Sequence, residues 1–178
     1  MSKKNTEPKI ADIAIVMGSK SDWPIARKTA ATLKSFGVSW HACVISAHRS
    51  PEKAADYAKM AAKRGFKIII AVAGGSAHLA GLLAAYTTLP VIGIPVQSKK
   101  FNGLDSLLST VQMPSGVPVA TVGLGAGGAI NAALLAVEIL ALEKPVLVKQ
   151  LKKHKQVLKE KIKKANLQIQ VELEKIYE

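Results

Sequence analysis

Short apolar stretches alternate with amphipathic, helix-like stretches along most of the chain, and this alternation predicts the fold. Five apolar stretches have the length of a strand, at residues 10–17, 38–45, 66–73, 90–97 and 117–124. Strands that alternate with helices predict a parallel sheet covered on both faces and joined by right-handed crossovers. We therefore expect an α/β protein, a three-layer α/β/α flavodoxin-like domain with a five-stranded, or slightly larger, parallel sheet and a long C-terminal helix.

Capping signals mark the ends of the predicted helices. Residues able to cap a helix precede three of them, namely Ser21 or Asp22, then Ser50, then Ser76. Gly37 is placed to end the first helix. A short helix is predicted over residues 103–112, and the last helix of the sheet from about residue 129 to 142.

The end of the chain has a different character. Apolar residues recur there at spacings of seven, in the series Leu151, Leu158, Ala165 and the series Ile162, Ile169, Ile176. This spacing is typical of one apolar seam on a long helix. We therefore divide the chain into an α/β catalytic domain (10–142) and a lysine-rich helical extension (143–178). The seam would pack on the body or on another subunit, and the alternative is an arm that binds nucleic acid or a membrane.

Composition narrows the class of protein. The 178 residues suffice for one well-packed domain, and no apolar run is long enough to span a bilayer. Residues 1–9 are polar and lack the apolar core of a signal peptide, so we expect a cytoplasmic location and no membrane partner. The single cysteine, Cys43, excludes an internal disulfide and a cysteine-based zinc site, and we expect it to be buried and inert.

The net charge of +13 raises nucleic acid as a partner, but its distribution argues against one. Residues 144–178 hold ten lysines and four glutamates, and the rest of the charge is spread thinly. Aromatic residues make up only 4% of the chain, too few for a base-stacking platform. A mildly basic body suits small anionic substrates instead.

Three polar loops follow predicted strands and carry the candidate chemistry. They are the first loop (18–22), the second loop (46–51) and the third loop (74–78). In an open α/β sheet, ligands bind at the edge formed by the carboxyl ends of the strands. We therefore expect the three loops to converge on one site.

Each loop offers a different function. The first combines backbone N–H groups, two hydroxyls and the start of a helix, and together these can form an anion cradle. Asp22 could also accept a hydrogen bond from a sugar hydroxyl. Equally, Ser21 and Asp22 can be simple helix caps. In the second, His48 can give and take a proton near neutral pH and Arg49 can hold a phosphate bidentately. The glycines of the third, Gly74 and Gly75, allow close approach of a ligand, and His78 follows them.

Other features of the sequence carry less evidence of function. His41 lies within the second predicted strand and His154 on the lysine-rich helix, and we interpret both as structural. Two loop histidines without a carboxylate cluster make a poor metal site, so we expect no metal. The glycine-rich stretch over residues 123–128 resembles a nucleotide-binding turn, but alone it is weak evidence for a nucleotide site.

Seven motifs occur in order, and together they resemble a known family. They are Met17–Trp23, Ser46–Pro51, Ala73–Leu79, Pro95–Ser98, Asp105–Ser109, Val111–Pro114 and Asn131–Ala136. Over about residues 10–142 the chain closely resembles the phosphoribosylaminoimidazole carboxylase catalytic-subunit family of purine biosynthesis. In its bacterial branch, the N5-carboxyaminoimidazole ribonucleotide mutases, the substrate carbamate loses CO2, and carbon C4 of the aminoimidazole recaptures it. The resemblance implies no cofactor, a ribonucleotide substrate and a homo-octamer in which neighbouring subunits complete each site.

The resemblance also implies roles for residues of this chain. His48 matches the general acid/base, Ser19, Asp22 and Arg49 match nucleotide-binding positions, and His78 with the third loop lines the carboxylate site. The catalytic candidates are therefore His48 and His78. The substrate-binding candidates are Gly18, Ser19, Ser21, Asp22, Ser46, Ala47, Arg49, Ala73, Gly74, Gly75, Ser76 and Leu79.

The branch is indicated by the third loop. Animal-type relatives, which carboxylate aminoimidazole ribonucleotide directly with CO2, carry an Arg-Ser-Asn stretch where this chain has Gly75 to His78, so the resemblance favours a mutase. Ala80 departs from the proline usual in the family, and the lysine-rich extension is atypical of it. Direct carboxylation and a non-catalytic nucleotide-binding module are the alternative functions.

Overall fold

A computed structural model describes residues 11–98 and 101–177 of the chain. Residues 1–10, which include the predicted start of the first strand, lie outside the described residues, as do residues 99, 100 and 178. By its internal contacts the chain divides between Val137 and Glu138 into two compact units. The boundary at residues 142 and 143 stays a prediction.

The five predicted strands are present and form one parallel sheet in the order β2-β1-β3-β4-β5. Their bounds are β1 Ile13–Met17, β2 Trp40–Val44, β3 Ile68–Gly74, β4 Val91–Val96 and β5 Ala120–Thr121. The central strands β1, β3 and β4 are buried on both faces, as their continuous apolar sequences predict. The edge strand β5 is much shorter than its predicted span, because only Ala120 and Thr121 pair with β4.

In the described part of the chain, six α-helices alternate with or follow the strands. They are α1 Trp23–Ser35, α2 Pro51–Ala61, α3 Leu79–Ala85, α4 Leu104–Val111, α5 Gly125–Ala141 and α6 Pro145–Tyr177, and a 3-10 turn over Lys20–Asp22 precedes α1. Among the described helices, none is both long enough and apolar enough to cross a bilayer.

Helices cover both faces of the sheet and make the predicted three layers. Ala14 and Val16 of β1 belong to the core that also contains Ala58 of α2 and Leu83 of α3. The alternate strand positions face the opposite side and are fully buried there, under α1 and α5. These two helices are joined by a buried hydrogen bond, 3.0 Å long, from the Thr29 hydroxyl to the Ala129 carbonyl.

The predicted caps are only partly right. Asp22 and Ser50 occupy the positions before α1 and α2, but neither side chain caps its helix. Ser76 does not cap α3, because the His78 N–H donates to the Ser76 carbonyl in a tight turn and the helix begins only at Leu79. His78 is therefore the residue just before α3 and does not lie in its first turn.

The last helix of the sheet, α5, begins at Gly125, four residues before its predicted start. The glycines explain the difference, because a side chain on Gly128 would overlap the Gly123 carbonyl. Two glycines thus let the chain turn directly from β5 into the helix. The glycine-rich stretch is explained by close packing of the backbone, and no ligand is needed to account for it.

Candidate active site

The three polar loops meet in one cavity of about 430 Å³ at the carboxyl ends of β1 to β4. This volume lies within the usual range for sites that bind small molecules. All fourteen predicted site residues line it: Gly18, Ser19, Ser21, Asp22, Ser46, Ala47, His48, Arg49, Ala73, Gly74, Gly75, Ser76, His78 and Leu79. The placement is the predicted one, and the roles of the residues stay predictions.

The backbone of the first loop is used internally. The Gly18 N–H donates to the Val72 carbonyl at 2.9 Å, and the Ser19 N–H donates to the Asp22 carboxylate at 2.8 Å. The Ser21 N–H donates to the Ser19 hydroxyl at 3.3 Å. These three N–H groups cannot also cradle an anion, so the predicted backbone cradle is wrong for them. What the loop offers to the cavity is its two hydroxyls and one carboxylate.

Asp22 is the buried charged group of the site, with only 5% of its surface exposed. Burial raises the pKa of its carboxyl above the ordinary value, and the hydrogen bond from the Ser19 N–H acts in the opposite direction. One oxygen is committed to Ser19. A carboxylate held in this way is suited to accept hydrogen bonds from vicinal hydroxyls of a sugar.

The second loop is a tight turn built around Ser46. Its carbonyl accepts from the N–H and the hydroxyl of Ser50, both at 3.0 Å, and its hydroxyl accepts from the Arg49 N–H at 3.2 Å. This turn leaves His48 and Arg49 exposed at the cavity. Within the described part of the chain the Arg49 guanidinium has no carboxylate partner, so it is available for an anion.

The two loop histidines contact each other directly. His48 Nε2 lies 2.9 Å from His78 Nδ1, with the rings nearly perpendicular at 80°. One of the two nitrogens must carry the hydrogen and the other must accept it, so the pair shares one proton along this contact. The arrangement offers a short path for a proton between the two rings.

The third loop depends on glycine at two positions. Gly75 has φ +64°, a conformation that favours glycine. A Cβ on Gly74 would lie 3.3 Å from the Val96 carbonyl, so the ends of β3 and β4 approach closely there. At these two positions the loop consequently presents backbone rather than side chain to the cavity.

Three further lining residues, Val96, Gln97 and Ser98, come from the end of β4. The Ser98 hydroxyl lies 3.1 Å from both carboxylate oxygens of Asp105, and the Ser106 hydroxyl donates to the Val96 carbonyl at 2.8 Å. The start of α4 thus fixes this wall of the cavity. The rule that selected the three loops applies equally to the end of this strand and could have identified it.

Other singled-out residues lie elsewhere. His41 is an exposed residue of β2 whose ring centroid lies 6.3 Å from that of Phe66, and His154 lies on α6. Cys43 is half-buried, not buried as expected, because β2 is an edge strand, and burial raises the pKa of its thiol. Among residues 11–98 and 101–177, no cluster of three or more histidine, cysteine or acidic residues could hold a metal ion.

The chain is similar to known proteins over most of its length. A family model described as AIR carboxylase matches residues 12–161. The N5-carboxyaminoimidazole ribonucleotide mutase of Saccharolobus solfataricus is 57% identical over 141 residues, which cover 79% of this chain and 88% of that protein. The protein of the same name from Pyrococcus horikoshii is 50% identical over 162 residues, which cover 91% of this chain and 89% of that protein.

The fold is shared with solved structures. The crystal structure of Treponema denticola PurE superposes with a TM-score of 0.75 at 32% sequence identity, covering 84% of this chain and 92% of that one.

Proposed function

The chain belongs to the AIR carboxylase family, and we propose that it is a mutase of purine biosynthesis that converts N5-carboxyaminoimidazole ribonucleotide to 4-carboxyaminoimidazole ribonucleotide. The observation that carries the proposal is the joining, in one cavity, of the His48–His78 pair, an exposed arginine and a buried carboxylate. Relatives at 50–57% identity bear the name of this mutase.

Substrate binding is divided among the loops. Asp22 accepts from the ribose hydroxyls, and Arg49 holds the phosphate with help from the hydroxyls of Ser19 and Ser21. Arg49 is central to this division, because its positive charge offsets the repulsion that the Asp22 carboxylate exerts on a nearby phosphate. The base then lies toward His48 and the glycines of the third loop, where backbone can approach it closely.

The reaction is an isomerisation and needs one acid/base that works in both directions. The carbamate N–C bond breaks, CO2 leaves, and the nitrogen gains a proton. Carbon C4, which is enamine-like, then attacks the trapped CO2, and the C4 proton is lost. His48 supplies the first proton and accepts the second, so no net proton is consumed.

We place His78 in this proton transfer as the group that receives the shared proton through the 2.9 Å contact. Substitution to alanine is expected to lower kcat about 100-fold or more. Asparagine is the informative variant, because its amide can bond His48 as Nδ1 does but has no second nitrogen that titrates. If His78→Asn is as slow as His78→Ala, the proton passes through His78. Activity of His78→Asn close to that of the parent would limit His78 to positioning.

Assembly completes the proposal. A single chain leaves His48 and Arg49 exposed, whereas recapture of CO2 needs a closed site. The helix that follows the β4 wall, α4, exposes Leu104, Leu108 and Val111 on one side, an apolar stripe suited to a neighbouring subunit. We therefore propose a homo-oligomer, an octamer as in the family, whose subunits close each other's cavities in the cytoplasm.

An isotope experiment tests this function against direct carboxylation. The carbamate substrate is prepared with ¹³C in its carboxyl group and converted in buffer that contains unlabelled bicarbonate. Because CO2 stays in the cavity, the product is expected to keep most of the label. A product whose label has fallen to the level of the bulk bicarbonate would show carboxylation by free CO2 and would overturn the mutase assignment.

A further inference from the structure

The long helix α6 carries a repeat of eleven residues, in which three positions recur three times. The three triplets are Leu147, Leu151, His154; then Leu158, Ile162, Ala165; then Ile169, Leu173, Ile176. Eleven residues make three turns at 3.67 residues per turn, so the nine positions stay on one face of a nearly straight helix. The spacings of seven seen in the sequence are part of this longer period.

The last two triplets form an uncovered apolar face, here called the α6 seam (158–176). Leu147 is buried, but Ile162 is 72% exposed and Ile176 is 74% exposed. The other four members of the two triplets are exposed as well. A helix with such a face is stable when the face packs against another helix, and a face with this period fits another of the same period.

The distribution of charge along α6 indicates which partner helix fits the α6 seam and in which orientation. Residues 149–164 contain eight lysines and one glutamate, whereas residues 165–178 contain three glutamates and one lysine. A second copy lying parallel would place the two lysine-rich halves side by side. A copy lying antiparallel places the acidic end of each helix beside the basic part of the other.

The register supports the same orientation. An antiparallel pair centred near residue 167 sets Leu158 opposite Ile176 and Ile162 opposite Leu173. Lys161 and Glu172 are eleven residues apart, so they lie within about 20° of each other on one flank of the seam. In this register each Lys161 faces Glu172 of the partner subunit. We propose that α6 pairs antiparallel with α6 of a second copy of this chain through the α6 seam.

Distances between spin labels test the pairing in the full-length protein. Lys164 and Lys175 are replaced by cysteine one at a time, in a Cys43→Ala background, and labelled. In an antiparallel pair centred near residue 167, the labels at position 175 lie about 15 Å further apart along the axis than those at position 164. Equal distances at the two positions would mean a parallel pair, and no defined short distance at either would mean no pairing. Both results overturn the proposal.

Two matched variants locate the contact. Ile169 lies on the seam and is 52% exposed, and Val171 lies on the opposite face and is 51% exposed. Ile169→Glu is expected to abolish the short distance at position 164, whereas Val171→Glu is expected to keep it. An equal effect of both variants would overturn the seam as the contact. A third outcome is that the parent shows no defined spin-label distance between copies in solution but binds phosphatidylserine vesicles, and that Ile169→Glu loses this binding. That outcome would assign the face to a membrane and would also overturn the proposal.

Discussion

Replacing His48 with asparagine is expected to lower kcat about 1,000-fold or more while leaving nucleotide affinity within a few-fold of the parent. Asparagine keeps much of the shape of the side chain but cannot exchange a proton near neutral pH. The second loop is held by hydrogen bonds to Ser46, which the substitution does not touch, so Arg49 stays in place for the phosphate. Binding and turnover should therefore separate.

Turnover of the carbamate and calorimetric binding of 4-carboxyaminoimidazole ribonucleotide measure the two effects. His41→Asn is the matched control, because His41 is an exposed histidine of β2 outside the cavity. It should leave both quantities unchanged. A kcat for His48→Asn within tenfold of the parent would remove His48 as the acid/base.

Replacing Asp22 with asparagine is expected to weaken nucleotide binding about 10- to 100-fold. The amide can still accept from the Ser19 N–H, which keeps the first loop in shape, but it lacks the charge that strengthens hydrogen bonds from ribose hydroxyls. Asp56→Asn is the control, since Asp56 is an exposed carboxylate paired with Lys59 on α2. Equal nucleotide affinity in the parent and Asp22→Asn would contradict a role of this carboxylate in binding.

The same variant tests the electrostatics of the site. Because burial raises the pKa of Asp22, the folded chain holds a proton on this carboxyl more tightly than the unfolded chain does. Ionisation of Asp22 therefore lowers the free energy of unfolding as the pH rises from 3.8, the ordinary pKa of the carboxyl, to its raised pKa in the folded chain. Above that pH the loss of stability is constant. The stability of the parent relative to Asp22→Asn, from urea unfolding at several pH values, should fall over that interval. A difference that does not change with pH would contradict the burial account.

The sequence alone was sufficient to predict that the three loops share one edge of the sheet, because the positions of the strands along the chain follow from the local hydrophobic pattern. Each loop follows its own strand directly, and parallel strands bring their ends to one side. The contact between His48 and His78 could not be predicted from the hydrophobic pattern, because that pattern carries no information on side-chain geometry. Their strands, β2 and β3, are not neighbours, so the two rings meet across the end of β1, and only side-chain geometry decides whether they touch.

Hydrogen bonding inside the loops was the other property that the hydrophobic pattern could not predict. Ser76 looked like a cap because serine precedes many helices, yet a single bond from the His78 N–H delays α3 by more than half a turn. The first loop looked like an anion cradle, yet Asp22 takes the Ser19 N–H for itself. In both cases a local competitor for a backbone donor decided the outcome.

Conversion of the carbamate in the absence of ATP tests the central claim most directly. The full-length protein is mixed with freshly prepared N5-carboxyaminoimidazole ribonucleotide, and the 4-carboxy product is followed by its absorbance. The account predicts rapid formation of the product with the parent and almost none with His48→Asn. Failure of the parent protein to accelerate the conversion above the rate in buffer alone would contradict it.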